Sequence, residues 1–192
     1  MGHDMIDLGP PSERVARLVA SVRDDQLDAP TPLPGTRLGD LIDHVETFTV
    51  AFTATARGEP TAPPPRPSAA NLGTGWRERI SRSLDTLADA WRDPAAWEGF
   101  VTAGGSDMPA SVAGLVVLDE LVVHGWDLAV ASSRPYEVTA PEIEAATMFV
   151  TSFEAPRDGS LFGPIVPVPE TAPPFDRLLG LTGRDPGWRP PA

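Results

Sequence analysis

Leu115-Val-Val-Leu-Asp-Glu120-Leu-Val-Val-His124-Gly-Trp126-Asp127-Leu128 is apolar at most positions and interrupts that run with carboxylates and an imidazole. Read outward to Ala110 and Ser132, the segment is long enough for about six turns of helix. Its nearly continuous apolar surface marks it as the buried centre of a helical body. Glu120 and His124 share one face, about 40° apart around the axis and about 6 Å apart along it. An ionised Glu in such surroundings is costly unless something holds its charge. Two partners fit: the imidazolium of His124, giving a buried ion pair, or a divalent metal, for which Glu oxygen and His nitrogen are both natural ligands.

Five further helices are expected around this one. The first spans Ser12–Asp24, with Ser12 as N-cap and Val15, Leu18, Val19 and Val22 on one face. The second spans Arg37–Arg57 behind Thr36 as N-cap, with Leu38, Leu41, Ile42, Val45, Phe48 and Phe52 in a stripe and Gly58 as the stop. The third spans Gly75–Arg92, with Ile80, Leu84, Leu87 and Trp91 inward. A helix over Pro141–Glu154 follows the cap Thr139, and Phe175–Leu181 gives a short one in the tail. Glu59–Leu72 is a Pro-rich loop, and Ala95–Met108 is irregular, with only Glu98–Thr102 passing as a strand. The expected class is therefore all-α: a four-helix bundle with a Pro-rich C-terminal extension carrying a short extra helix. Residues 1–158 are expected to form the bundle domain. Residues 159–192 are expected to form an extension that packs on it through Phe162, Phe175, Leu178, Leu179 and Trp188.

Composition narrows the function. A net charge of −12 over 192 residues speaks against nucleic acid and anionic membranes as partners. No apolar run approaches the ~20 residues that span a bilayer, and no signal-peptide pattern opens the chain, so a cytoplasmic location is expected. Cysteine is absent, which excludes disulfides, Cys–zinc sites and a thiol nucleophile of the chain's own. All basic residues are Arg, a bias typical of GC-rich genomes.

Three histidines are present. His3 lies in a polar N-terminus and reads as a solvated residue. His44 falls at the edge of the second helix's apolar stripe, at a seam between helices. There it is either a core-edge side chain satisfied by a polar neighbour or a ligand. One His from one helix plus Glu-x-x-x-His from another gives three ligands, His44, Glu120 and His124, with a position left open for water or substrate, as in catalytic sites. Zinc suits two nitrogens and an oxygen; nickel, cobalt, manganese and ferrous iron accept the same set. Asp127 shares the sector of His124 and Glu120, as a fourth ligand, a general base or an acceptor that orients the imidazole. Asp40, four residues before His44, either orients that ring or faces solvent near the helix start.

Three stretches resemble the DinB-like superfamily of metal-binding four-helix bundles, and within it the N-terminal domain of the mycothiol-dependent maleylpyruvate isomerases and their actinobacterial relatives. They are Thr31-Pro-Leu-Pro-Gly-Thr-Arg-Leu-Gly-Asp-Leu-Ile-Asp-His44, Glu120-Leu-Val-Val-His124-Gly-Trp-Asp-Leu-Ala129, and the tail from Phe162-Gly-Pro to Leu178-Leu-Gly-Leu-Thr-Gly-Arg-Asp-Pro-Gly-Trp188. The resemblance implies a zinc-type site at His44, Glu120 and His124 and the activation of a low-molecular-weight thiol, mycothiol, for attack on an electrophilic small molecule. It also implies, for the isomerase, a further C-terminal domain that contributes a catalytic Arg; that role is not assigned to Arg37, Arg134 or Arg184. The leading expectation is thus a mycothiol-dependent transferase or isomerase, monomeric or homodimeric. The alternatives are a metallohydrolase using metal-bound water, with Asp127 or Asp40 as base, and a non-catalytic metal-binding, stress-associated protein. A ferrous oxygenase with the same ligands is a minor fourth.

Overall fold

The long apolar helix α4, Ala110–Ala131, is the axis around which the chain is built. The computed structural model describes residues 5–60, 65–152, 157 and 162–191. His3 and the expected last turn of the fifth helix, 153–154, lie outside those residues, as does the expected domain boundary at 158–159. Helices α1 (Gly9–Ser21), α2 (Leu38–Ala56) and α3 (Trp76–Ala90) complete a four-helix bundle. In it α1 and α2 each lie between α3 and α4. Helix α5 (Ala140–Ser152) leans on α4, and α6 (Pro174–Leu181) on α5. That third neighbour is why α4 is apolar all round: its outer face is covered too. Val117, Leu118, Leu121 and Val122 are wholly buried, as are Val19, Ile42, Val45, Ile80, Leu84 and Leu87 from the surrounding helices. Among the described residues no helix is long and apolar enough to cross a membrane.

The expected helix interiors hold, and the ends move. Helix α1 begins at Gly9, with Pro10 and Pro11 in its first turn, where a missing N–H is harmless. Ser12 is therefore inside the helix, 1% exposed, and no cap. The helix also stops short of Asp24, which opens a 3₁₀ turn, Asp24–Gln26. At α2 the cap is Arg37, whose backbone N–H donates to Asp40 Oδ2 at 3.3 Å. Thr36 stands one residue outside, its carbonyl accepting from the Thr31 hydroxyl at 2.8 Å. Ahead of α5 the backbone N–H of Thr139 donates to Glu142 Oε2 at 2.8 Å, half of a capping box. The other oxygen, Oε1, takes Arg14 Nη2 at 2.6 Å and ties α5 to α1.

Ala95–Met108 is more regular than expected. A 3₁₀ turn, Pro94–Trp97, leads into the antiparallel strands β1 (Phe100–Ala103) and β2 (Ser106–Pro109), paired from Phe100↔Pro109 to Ala103↔Ser106. Gly104 and Gly105 form the two-residue turn with φ of 58° and 80°, the left-handed values a tight hairpin requires. The sequence signal was this Gly-Gly pair.

Candidate metal centre

The site forms where α2 and α4 lie side by side. His44 Nε2 is 3.1 Å from Glu120 Oε2, and His124 Nε2 is 3.2 Å from the same oxygen. The two imidazoles stand almost edge to face, 81° apart with centroids separated by 4.9 Å. One ligand atom from each of His44, Glu120 and His124 lies within 4.8 Å of the other two, the one such group among the described residues. Ligand atoms on a tetrahedral zinc stand about 3.3 Å apart when each bond is about 2.0–2.1 Å. The two nitrogen–oxygen separations, 3.1 and 3.2 Å, fit that spacing.

The charges here are strongly coupled. Burial alone would push the Glu120 carboxyl up, but the two imidazoles overcome it and hold Glu120 well below the usual carboxylate range. For His124, burial disfavours the charged ring; Glu120 and Asp127 outweigh it and push its pKa up to about 9. The neighbouring Asp119 goes the other way, raised to about 7 by burial and by the charge of Glu120, with Oδ1 left unpartnered.

Asp127 and Asp40 have different jobs. Asp127 is fully buried, and its Oδ2 lies 2.9 Å from His124 Nδ1, on the side of the ring away from Glu120. Asp40 does not touch His44 by any hydrogen bond described: Oδ1 accepts from the Ala69 N–H at 2.8 Å while Oδ2 accepts from Arg37. It fastens the start of α2 to the C-terminal part of the Pro-rich loop. Asp43 does the same, accepting from the Ser68 N–H at 2.9 Å and Asn71 Nδ2 at 2.8 Å. These carboxylates hold part of the loop as a wall of the site.

The three side chains line a cavity of about 870 Å³ together with residues 32–36, 66–68, 163–164 and 182–184. Of the three, His44 is the most accessible, with a side chain 34% exposed against 18% for Glu120 and 13% for His124. Sequence reasoning missed Arg184. It is 7% exposed and donates from Nη2 to Asp127 Oδ2 at 3.1 Å and from Nη1 to the Thr182 carbonyl at 2.7 Å. No periodicity links a residue after α6 to a helix 57 positions earlier. The available signal was the Thr-Gly-Arg that follows a helix end.

Residues 8–129 match the family model described as the mycothiol maleylpyruvate isomerase N-terminal domain. Two relatives, uncharacterized proteins from two strains of Mycobacterium tuberculosis, are each 30% identical over 185 residues, covering 88% of this chain and 91% of theirs. Among solved structures, the crystal structure of the mycothiol-dependent maleylpyruvate isomerase aligns with a TM-score of 0.59 at 19% identity. That alignment covers 74% of this chain and 65% of the enzyme. A His-to-Ala mutant of the enzyme aligns with a TM-score of 0.56 at 22% identity, over the same 74% and 65%. At these identities the likeness establishes the fold.

Proposed function

The chain belongs to the family of the mycothiol maleylpyruvate isomerase N-terminal domain, and from that premise we propose that it is a metal-dependent enzyme of the mycothiol-using transferase or isomerase kind. In this reading His44, Glu120 and His124 hold one divalent cation of the zinc type. The cavity above them receives a low-molecular-weight thiol and an electrophilic small molecule. The observation that carries it is the meeting of three ligand atoms within 4.8 Å of one another on a cavity of about 870 Å³.

When bound, such an ion acidifies a coordinated thiol or water and so supplies a nucleophile at neutral pH. The chain's own residues prepare the place. Glu120 brings negative charge between the two imidazoles, and Asp127 accepts at His124 Nδ1 so that Nε2 is the nitrogen turned to the site. The turn 32–36 and the segments 66–68 and 182–184 form the walls of the cavity over the site. With no cysteine in the chain, the thiol is a cosubstrate. A metallohydrolase needs a carboxylate free to take a proton from water, and both acids it would draw on, Asp127 and Asp40, are engaged elsewhere.

Elemental analysis of untagged protein is the first test. One divalent metal per chain is expected, lost in His124→Ala; unchanged metal content in that variant would remove the site assignment. Mycothiol added to cobalt-substituted protein is then expected to change the visible ligand-field spectrum. An ester or amide consumed without any thiol would favour the hydrolase instead.

A further inference from the structure

We infer that the C-terminal extension is part of the metal centre, with Arg184 as the positioning residue that fixes the His124 ring through Asp127. The inference rests on the reading of His44, Glu120 and His124 as metal ligands.

It begins with the end of α6. Thr182 follows the last helical residue, and Gly183 turns the chain with φ of 86°. The Gly183 N–H donates to the Gly180 carbonyl at 3.1 Å and the Arg184 N–H to the Leu179 carbonyl at 2.8 Å. This pair of bonds is a Schellman stop, whose left-handed residue is strained for anything but Gly. A Cβ on Gly183 would also come within 2.8 Å of Gly163 Cα, so two segments of the extension stack through their glycines. The reversal is thereby fixed, and the Arg184 guanidinium reaches into the bundle.

There it is anchored at two points, Nη1 on the Thr182 carbonyl and Nη2 on Asp127. Asp127 Oδ2 is shared between Arg184 and His124 Nδ1. An unpaired charge at a site with no exposure would be expensive. Anchored by Arg184, the Asp127 carboxylate is held against His124 Nδ1 and leaves Nε2 facing Glu120 and His44. Without Arg184 the carboxylate loses its anchor and is free to swing away, which releases the ring.

Docking of the extension does not explain the pair. Phe162, Leu178 and Leu179 are already buried and supply the adhesion. A buried ion pair is often no more stabilising than apolar side chains of similar volume, and it leaves an uncompensated charge when one partner is lost. Its distinctive product here is orientation of one carboxylate against one imidazole.

Zinc affinity by chelator competition and the visible spectrum of cobalt-substituted protein test this in wild type, Arg184→Met and Arg184→Lys. Arg184→Met is expected to bind zinc roughly 10–100-fold more weakly, with a shifted cobalt spectrum. Arg184→Lys keeps the charge and loses the fork, so it should fall in between. A purely structural contact would lower the melting temperature and leave both metal readouts of the folded protein unchanged; that result overturns the inference. If Arg184→Met does not reach the wild-type far-UV spectrum, Arg184→Lys against wild type decides by the same two readouts. Wild type that takes up no zinc overturns the ligand reading and this inference together, whereas zinc uptake indifferent to Arg184 overturns this inference alone.

Discussion

At the scale of residues, His124 carries the most legible electrostatics. Its Nε2 faces Glu120 Oε2 at 3.2 Å and its Nδ1 faces Asp127 Oδ2 at 2.9 Å, so without a metal both nitrogens donate and the ring is an imidazolium. Its pKa is raised to about 9 from an ordinary value near 6.5. A raised value means the folded state holds the proton more tightly than the unfolded chain. The stabilisation is therefore complete below about pH 6.5 and lost as pH rises through about 9. In chelator, the melting temperature is expected to fall between those pH values, and His124→Gln should flatten that fall. Cation binding must expel the same proton, so calorimetry at pH 7 in buffers of different ionisation enthalpy should show proton release on zinc binding. The Glu120–His124 pairing was legible from i, i+4 spacing. That His44 shares the same carboxylate oxygen was not, because its partner is 76 positions away.

At the scale of elements, α4 shows why helix interiors read well and helix ends read badly. Its interior is set by apolar periodicity and survives every neighbour. The ends depend on which few backbone groups find a partner, a choice made by tertiary contacts. The Pro10–Pro11 start of α1 and the Arg37 cap of α2 are two such choices. Two glycines inside α4 look like weak points and are close approaches instead. A Cβ on Gly114 would overlap the Trp97 ring, and one on Gly125 would overlap the Tyr136 hydroxyl. That hydroxyl donates to the Leu121 carbonyl at 3.0 Å. Gly125→Ala is therefore expected to destabilise the protein by about 1–3 kcal/mol despite its better helix propensity. Urea titration measures it; a neutral or stabilised variant would contradict the packing described.

At the scale of the whole molecule, the cavity draws its walls from four separate stretches of chain around a floor shared by α2 and α4. A ligand that binds only where these parts have come together must stabilise the assembled state. Zinc at 100 times its Kd should add about 2.7 kcal/mol, a rise in melting temperature of roughly 5–11 °C for a chain of this size. His44→Ala should remove most of that rise, and a zinc-insensitive melting curve in wild type would count against the site. By itself the sequence determined an all-helical bundle with one buried axis, because burial is written locally in apolar periodicity. It also determined which acid and imidazole share a face of that axis. Only the tertiary structure decided that His44 meets them, that Asp40 serves the backbone while Asp127 serves His124, and that Arg184 closes the far side. Those outcomes depend on where distant segments cross, and a crossing is set by packing of the whole chain.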